Sequence, residues 1–285
     1  MFLFHFYLLY ILHLPFIFLP PLSMETMTAT QPKTTSAWLI RLETCTNVQD
    51  VAMISVDNTQ TFENKDLNEL YVTGWEQVAQ ATKNIMQACA YYGITLVNVI
   101  EEHPLGHISL AANYKDKNVY DLITYEEVKD WTEENNGIWE RAQFTLGELK
   151  RFLSEVESQR LWPDHGIVDT QWVELTQPLQ ESDFDVKIIK WTNPAREAYS
   201  GFDETKLHEE LTKREKKIVL IWWVATDYCV GNTALGAIKN GYEVYLINDA
   251  IKWVAQDTTD TMIKTLKGEG VRFISSQELF QILDQ

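Results

Sequence analysis

Seven consecutive apolar residues, Ile218–Val224 (IVLIWWV), constrain the fold more than any other stretch. A run without a polar position has no face to offer to water. As a strand it must be covered on both sides, which is the condition of a central strand in a parallel sheet. The chain then passes through Ala225, Thr226, Asp227 and Tyr228 to Cys229, after which small and apolar residues recur at helical spacing: Val230, Ala234, Ala237 and Ile238. Cys229 is therefore expected where a central strand hands over to a helix. Open α/β sheets carry their sites at the carboxyl ends of strands, and a helix N-terminus favours the nucleophilic thiolate. The other reading of the same position is a small buried core cysteine, the usual fate of a free thiol.

The rest of the chain alternates in the same manner. Strands are expected at Val51–Val56, 94–100, Val186–Lys190, Ile218–Val224, 243–247 and 271–274. Helices are expected over 74–92 (ending at Gly93), after Cys229 as far as Gly241, over 257–267, and from a Ser276 cap through Leu283. Alternating strand and helix predicts an α/β fold: three layers, α/β/α, around a doubly wound, mainly parallel six-stranded sheet. Residues 113–157 form an acidic insertion with a helix near Leu146–Val156; a lid, a contact surface and simple decoration all remain open for it.

Of 285 residues, 1–44 read as an apolar leader and polar linker outside the fold, and 45–285 as one domain. Residues 1–22 are long enough to cross a bilayer. They carry no Lys or Arg ahead of the apolar run, Pro15, Pro20 and Pro21 interrupt it, and Met24 follows at once. The expectation is a start assigned too far upstream and a cytoplasmic protein, with a signal peptide or anchor as the alternatives. A net charge of −17 repels phosphate backbones, so nucleic acid is not an expected partner. Cys45, Cys89 and Cys229 are odd in number and far apart, which suits a reducing compartment and neither a disulfide framework nor a CxxC metal site. No GxGxxG or Walker-type phosphate loop is present.

Three polar residues follow or close apolar strands: Asp57, Lys190 and Cys229. Carboxyl ends of parallel strands share one edge, so the three side chains can meet. A carboxylate can take the thiol proton and later pass it to a leaving amine, and an ammonium favours the thiolate. Each charge by itself is as readily a solvated loop residue; the set of three is what carries the argument. His103 and His107 follow the second strand beside Glu101 and Glu102, and His165 lies in LWPDHG. Two histidines and a carboxylate make a common transition-metal site, although spacing alone is a weak signal for one.

Together, VDNTQTF at 56–62, ELYVTGWE at 69–76, EEHPLGHIS at 101–109, LWPDH at 161–165, AYSGF at 198–202 and VATDYCV at 224–230 resemble the nicotinamidase branch of the isochorismatase-like cysteine hydrolases. The resemblance runs from about Val51 to the C-terminus. It implies Cys229 as nucleophile, Asp57 as general base and acid, and Lys190 as third member of the triad. It implies an oxyanion hole from the Ala225 and Cys229 N–H groups and a cis peptide at Val224–Ala225. It implies metal ligands Glu101, His103 and His165, with His107 either a ligand or a neighbour of one. Phe62, Trp162, Tyr199 and Tyr228 fall at its substrate-binding positions.

The implied activity is hydrolysis of nicotinamide to nicotinate and ammonia in NAD salvage, through a cysteine thioester, with one divalent transition metal, zinc first and iron or manganese after it. The implied partner is the small-molecule substrate, with a homo-oligomer left open. The sequence departs from the family pattern at several points. Glu101 and Glu102 stand where Asp and Trp are usual, leaving either glutamate as the ligand. Thr59 replaces a Gln, Gly166 replaces a common Cys, and WTNPARE follows Lys190 in place of a Gly-rich turn. Two alternatives accompany the reading: a metal-free amidase of the same superfamily acting on a carbamoyl or ureido compound, and a non-catalytic small-molecule-binding relative.

Overall fold

The computed structural model describes residues 48–283 apart from 68 and 178; the expectation for residues 1–44 thus lies outside the described residues. Strands run in the order β1 (Val51–Val56), β2 (Thr95–Glu101), β3 (Leu122–Thr124), β4 (Ser158–Arg160), β5 (Val186–Lys190), β6 (Ile218–Val224), β7 (Glu243–Lys252) and β8 (Arg272–Ile274). The helices are α1 (Gln60–Glu63), α2 (Trp75–Tyr92), α3 (Tyr125–Val128), α4 (Leu146–Val156), α5 (Leu207–Lys213), α6 (Gly231–Lys239), α7 (Gln256–Gly268) and α8 (Ser276–Leu283). Six strands form one sheet in the order β5-β2-β1-β6-β7-β8, every neighbouring pair parallel. The chain builds outward from β1 in both directions, so the switch point falls between β1 and β6, where such sheets open a crevice at their carboxyl edge.

All seven residues of β6 are buried, Trp222 and Trp223 completely. A fully covered apolar side chain contributes roughly 1.5–3 kcal/mol, so this strand anchors the core. Helices cover the sheet, α2 packing with α8 and α6 with α7. On α2 the buried positions are Val78, Thr82, Ile85, Ala88 and Cys89, one face at helical spacing, and the helix stops at Gly93 in the left-handed conformation (φ 66°). Burial pushes the Cys89 thiol up to about 12, which leaves it inert.

Two sequence expectations need correction. The fifth sheet strand does not stop at residue 247 but continues to Lys252. Asn248 and Asp249 face outward at a register shift opposite Ile221 and Trp223, after which pairing resumes with Ile251 and Lys252. The last helix is capped by Ser275 rather than Ser276: the Ser275 hydroxyl accepts from the Glu278 N–H and the Glu278 carboxylate accepts from the Ser275 N–H, while Ser276 donates to Asp249. Between β6 and α6 the chain makes a wide π-type turn, Thr226–Val230, and the helix proper follows Cys229 as expected.

The insertion folds around a small core of its own. β3 and β4 pair antiparallel, and α4 opens with a Thr145–Glu148 capping box. Ile123, Val128, Leu149, Phe152 and Leu153 close together beneath. Among the described residues no helix is long and apolar enough to cross a membrane.

Candidate active site

The carboxyl edge of the sheet delivers the charged side chains one strand at a time. β1 ends at Val56, and Asp57 turns the chain out of the sheet with φ 58° while its N–H donates to the Val99 carbonyl at 2.8 Å. A non-glycine residue in this region is uncommon and is found where the surroundings hold it. β2 ends at Glu101 and β5 at Lys190, and these two are register partners. In-register neighbours project to the same side of a sheet, so the carboxylate and the ammonium stand side by side. The Val224–Ala225 peptide is cis, as the resemblance implies, and the turn after it carries Cys229 to the same edge.

The structure brings the expected three residues together. Lys190 Nζ lies 3.0 Å from Asp57 Oδ2 and 3.4 Å from Cys229 Sγ, with Glu101 Oε2 further off at 3.9 Å. Asp57, Lys190 and Cys229 are all buried. Burial is the main influence on each. It raises the Asp57 carboxyl, against the opposing pull of the Lys190 charge. It raises the Cys229 thiol well above its ordinary value, and the negative Asp57 raises it further. It works against the Lys190 ammonium, but the negative neighbours, Asp57 first, outweigh it and hold Lys190 above its ordinary value. Burial thus opposes the thiolate that a helix start and an ammonium favour, and the group beside the sulfur able to take its proton is a carboxylate made more basic by the same burial.

The metal-ligand expectation sorts out by geometry. Glu101, His103 and His165 each offer an atom, and these atoms all lie within 4.8 Å of one another. A parallel bridge between His103 and Ile167, with His103 N–H donating to the Gly166 carbonyl at 2.7 Å, lays the two loops against each other. His165 donates Nδ1–H to the Pro163 carbonyl at 2.7 Å, which leaves Nε2 free, 3.8 Å from Glu101 Oε1. Both Glu101 oxygens and His103 Nδ1 are buried without a hydrogen-bond partner. Buried acceptors are normally paired, and this donor set fits a divalent cation.

Glu102 is directed elsewhere, 3.8 Å from Lys187 on the outer side. His107 is used up by the protein: Nε2–H donates to the Arg196 carbonyl at 2.8 Å and Nδ1 accepts from the Ser109 hydroxyl at 2.8 Å. Burial favours the neutral form of all three imidazoles. It lowers His107 to about 3 and His165 to about 4, and takes His103 well below its ordinary value. Burial also raises Glu101 strongly, with the nearby Asp57 charge adding to it.

Gly166 explains how the longer carboxylate fits. A Cβ at this position would lie 2.5 Å from Glu101 Oε1 and 3.1 Å from its Cδ and Cγ. Its φ of 52° also disfavours a side chain. The space left by the missing side chain at 166 is filled by the extra methylene and carboxylate of Glu101.

Between these groups lies a cavity of about 170 Å³. That is the scale of one aromatic ring, since a cavity of roughly 150 Å³ takes benzene. Phe62, Trp162, Tyr199 and Tyr228 line it together with Cys229, Ala225, Glu101 and His165, and the Trp162 indole N–H donates to the Tyr199 hydroxyl at 3.0 Å. Sequence reasoning missed several further wall residues: Glu69, Tyr71, Tyr120, Trp191 and Val254. Tyr120 comes from the insertion and meets Trp162 edge to face at 6.0 Å, so the insertion supplies part of the wall. Glu69 Oε2 accepts from the Thr61 hydroxyl at 3.0 Å and the Gly166 N–H at 3.4 Å, and burial lifts its carboxyl to about 7. The one available signal for it was its place in the ELYVTGWE stretch; nothing in the insertion singled out Tyr120.

Residues 131–278 match the Isochorismatase domain family model. Over 136 residues, 44% of this chain, the sequence is 29% identical to the nicotinamidase of Escherichia coli, and the chain spans 62% of that relative's length. Over 192 residues, 65% of this chain and 76% of the relative, it is 29% identical to the nicotinamidase of Acinetobacter baylyi. Among solved structures, the pyrazinamidase of Pyrococcus horikoshii in complex with zinc superposes with a TM-score of 0.58 at 27% identity, covering 79% of this chain and 99% of that one.

Proposed function

The chain belongs to the isochorismatase-domain family, and from that premise we propose that it is a nicotinamidase, hydrolysing the carboxamide of nicotinamide to nicotinate and ammonia in NAD salvage. The observation that carries the proposal is the position of Lys190 Nζ, 3.0 Å from Asp57 and 3.4 Å from Cys229, beside a ring-sized cavity lined by Cys229 and, from the Glu101, His103 and His165 cluster, by Glu101 and His165. Glu101, His103 and His165 would hold a divalent metal, zinc by analogy with the Pyrococcus horikoshii relative or else iron or manganese, which would supply a Lewis acid for the ring nitrogen.

The chain's own groups perform the bond changes. Asp57 takes the proton of the Cys229 thiol as the sulfur attacks the carboxamide carbon. Lys190 balances the negative charge, which lies on the Asp57 carboxylate before the proton moves and on the sulfur after it. The carbonyl oxygen becomes an oxyanion, met by the N–H groups of Ala225 and Cys229; one such donor is worth about 3 kcal/mol in related chemistry. Asp57 returns the proton to the amide nitrogen, the C–N bond breaks, and ammonia leaves a thioester behind. Water then gives a proton to Asp57 and adds to the thioester carbon; the C–S bond breaks, nicotinate is released and the sulfur regains its proton. The aromatic walls, Phe62, Trp162, Tyr199 and Tyr228, sandwich the ring and keep bulk water from the thioester.

The test is ammonia release from nicotinamide, pyrazinamide and an aliphatic amide, before and after chelation. Nicotinamide and pyrazinamide turnover that disappears with the metal supports the proposal. Turnover indifferent to chelation points to a metal-free amidase, and tight nicotinamide binding without ammonia release points to a binding protein.

A further inference from the structure

Trp191 touches both walls of the site, and the bond changes described above make no use of it. It is 4% exposed and sits directly after the last residue of β5, with φ 65°, a left-handed conformation that a bulky side chain rarely adopts. The turn folds the indole back over the residue before it: Lys190 Nζ lies 3.1 Å from the ring centroid. The same ring stacks on the His103 imidazole, with centroids 4.4 Å apart and planes at 24°. Its orientation is fixed from outside the site, because the indole N–H donates to Glu197 Oε1, and Glu197 is itself held by Gln159 Nε2 at 2.7 Å and the Ala198 N–H at 3.1 Å.

The Lys190 side chain has no exposed surface, so no water can share the work of solvating its charge. Two carboxylates compete for it: Asp57 at 3.0 Å and Glu101 at 3.9 Å. An ammonium free to slide toward Glu101 would leave the sulfur. The electron-rich face of an indole is the strongest of the aromatic faces for a cation, and it gains strength where water is excluded. We propose that Trp191 is a positioning residue, its indole face holding the Lys190 ammonium at the point from which it reaches Asp57 and Cys229 together. The inference rests on the hydrolytic reading of this site and adds a residue to it.

The obvious variant, Trp191→Leu, removes a buried ring and can fail by unfolding. A graded series avoids this: tryptophans carrying one, two and four ring fluorines, placed at position 191 alone. Fluorine withdraws charge from the ring face while leaving the shape nearly unchanged and keeping the indole N–H, whose hydrogen bond to Glu197 it strengthens. Two rates are read, kcat for nicotinamide and the rate at which iodoacetamide alkylates Cys229, located by mass spectrometry. Both are expected to fall stepwise with fluorine number, to about tenfold or lower at four fluorines, with KM within about twofold. Rates that stay level across the series overturn the inference, because a ring that merely fills space is indifferent to its charge. The two proposals fail separately. Stepwise slowing of alkylation in a protein that releases no ammonia from nicotinamide sinks the proposed substrate and keeps Trp191 in its role. An active wild type with a level series does the reverse.

Discussion

On the sulfur wall of the cavity the charges answer one another. Lys190 stands between Asp57 and Cys229, 3.0 Å from the one and 3.4 Å from the other. On the imidazole wall no cation comes so near: the Lys190 ammonium is 3.9 Å from Glu101. The oxygens of Asp57 and Glu101 are alike buried without a hydrogen bond, and so is His103 Nδ1. The same strand ends build both walls, so the difference is in the charge each carboxylate faces. Asp57 has an ammonium of the chain at ion-pair distance, whereas buried acceptors with no close cation cost free energy until one arrives.

The largest expected effect separates the walls outright. Cys229→Ala should lower kcat by about 10⁴-fold or more, the scale of losing a nucleophile, while metal content per chain stays that of the wild type. Loss of metal along with turnover would mean that the two walls are one unit. Next comes removal of the metal. Turnover of nicotinamide should fall by at least about 100-fold, with the melting temperature lowered and then restored by zinc.

A finer cut tests the fit of the carboxylate. Gly166→Ala should weaken metal binding by about 10–100-fold, in the manner of other displaced ligand supports, as read by a competing chelator. Adding Glu101→Asp to the same chain should recover much of that loss, because the shorter side chain vacates the contested space. A double variant no better than the single would show that backbone strain at 166, not crowding, is responsible.

The smallest effect concerns His107, which the comparison assigns to structure. His107→Gln should change metal affinity by less than about threefold, whereas His103→Gln should do far more. Its signature is in folding. The folded imidazole resists protonation down to about pH 3 while the unfolded one protonates near 6.5. Between those values the unfolded state binds more protons, so stability is lost as pH falls. At pH 5 this amounts to about 2 kcal/mol relative to pH 7. Urea melts at the two pH values should show His107→Gln losing less over that interval than the wild type.

How much of this could be read beforehand depended on how sharply polarity changes along the chain. Asp57 and Lys190 were legible because a charge closes or follows an apolar run, and Cys229 because β6 is apolar throughout. The continuation of β7 was hidden by Asn248 and Asp249, whose outward turn at the register shift looks like the end of a strand. Glu101 and Glu102 could not be told apart, since β2 is buried on both faces and shows no alternation; pairing with Lys190 decides between them. The HPLGH spacing offered two imidazoles of equal promise, and only the Arg196 carbonyl and Ser109 hydroxyl, one distant and one local, reveal which is already engaged. Trp191 was visible merely as a departure from a Gly-rich turn, because an indole after a strand resembles any core residue. The membrane and compartment expectations for residues 1–44 concern a stretch outside the described residues.

The pairing of Glu101 with Lys190 across β2 and β5 has a further consequence. The spacing between the metal-holding half and the nucleophilic half is set by the lateral repeat of a sheet, about 4.8 Å, and not by any loop. Swapping the segments around the cavity can reshape what enters it, but the gauge between its two sets of tools is laid down in the ladder of backbone bonds, and an engineer who wished to widen it would have to insert or remove a strand.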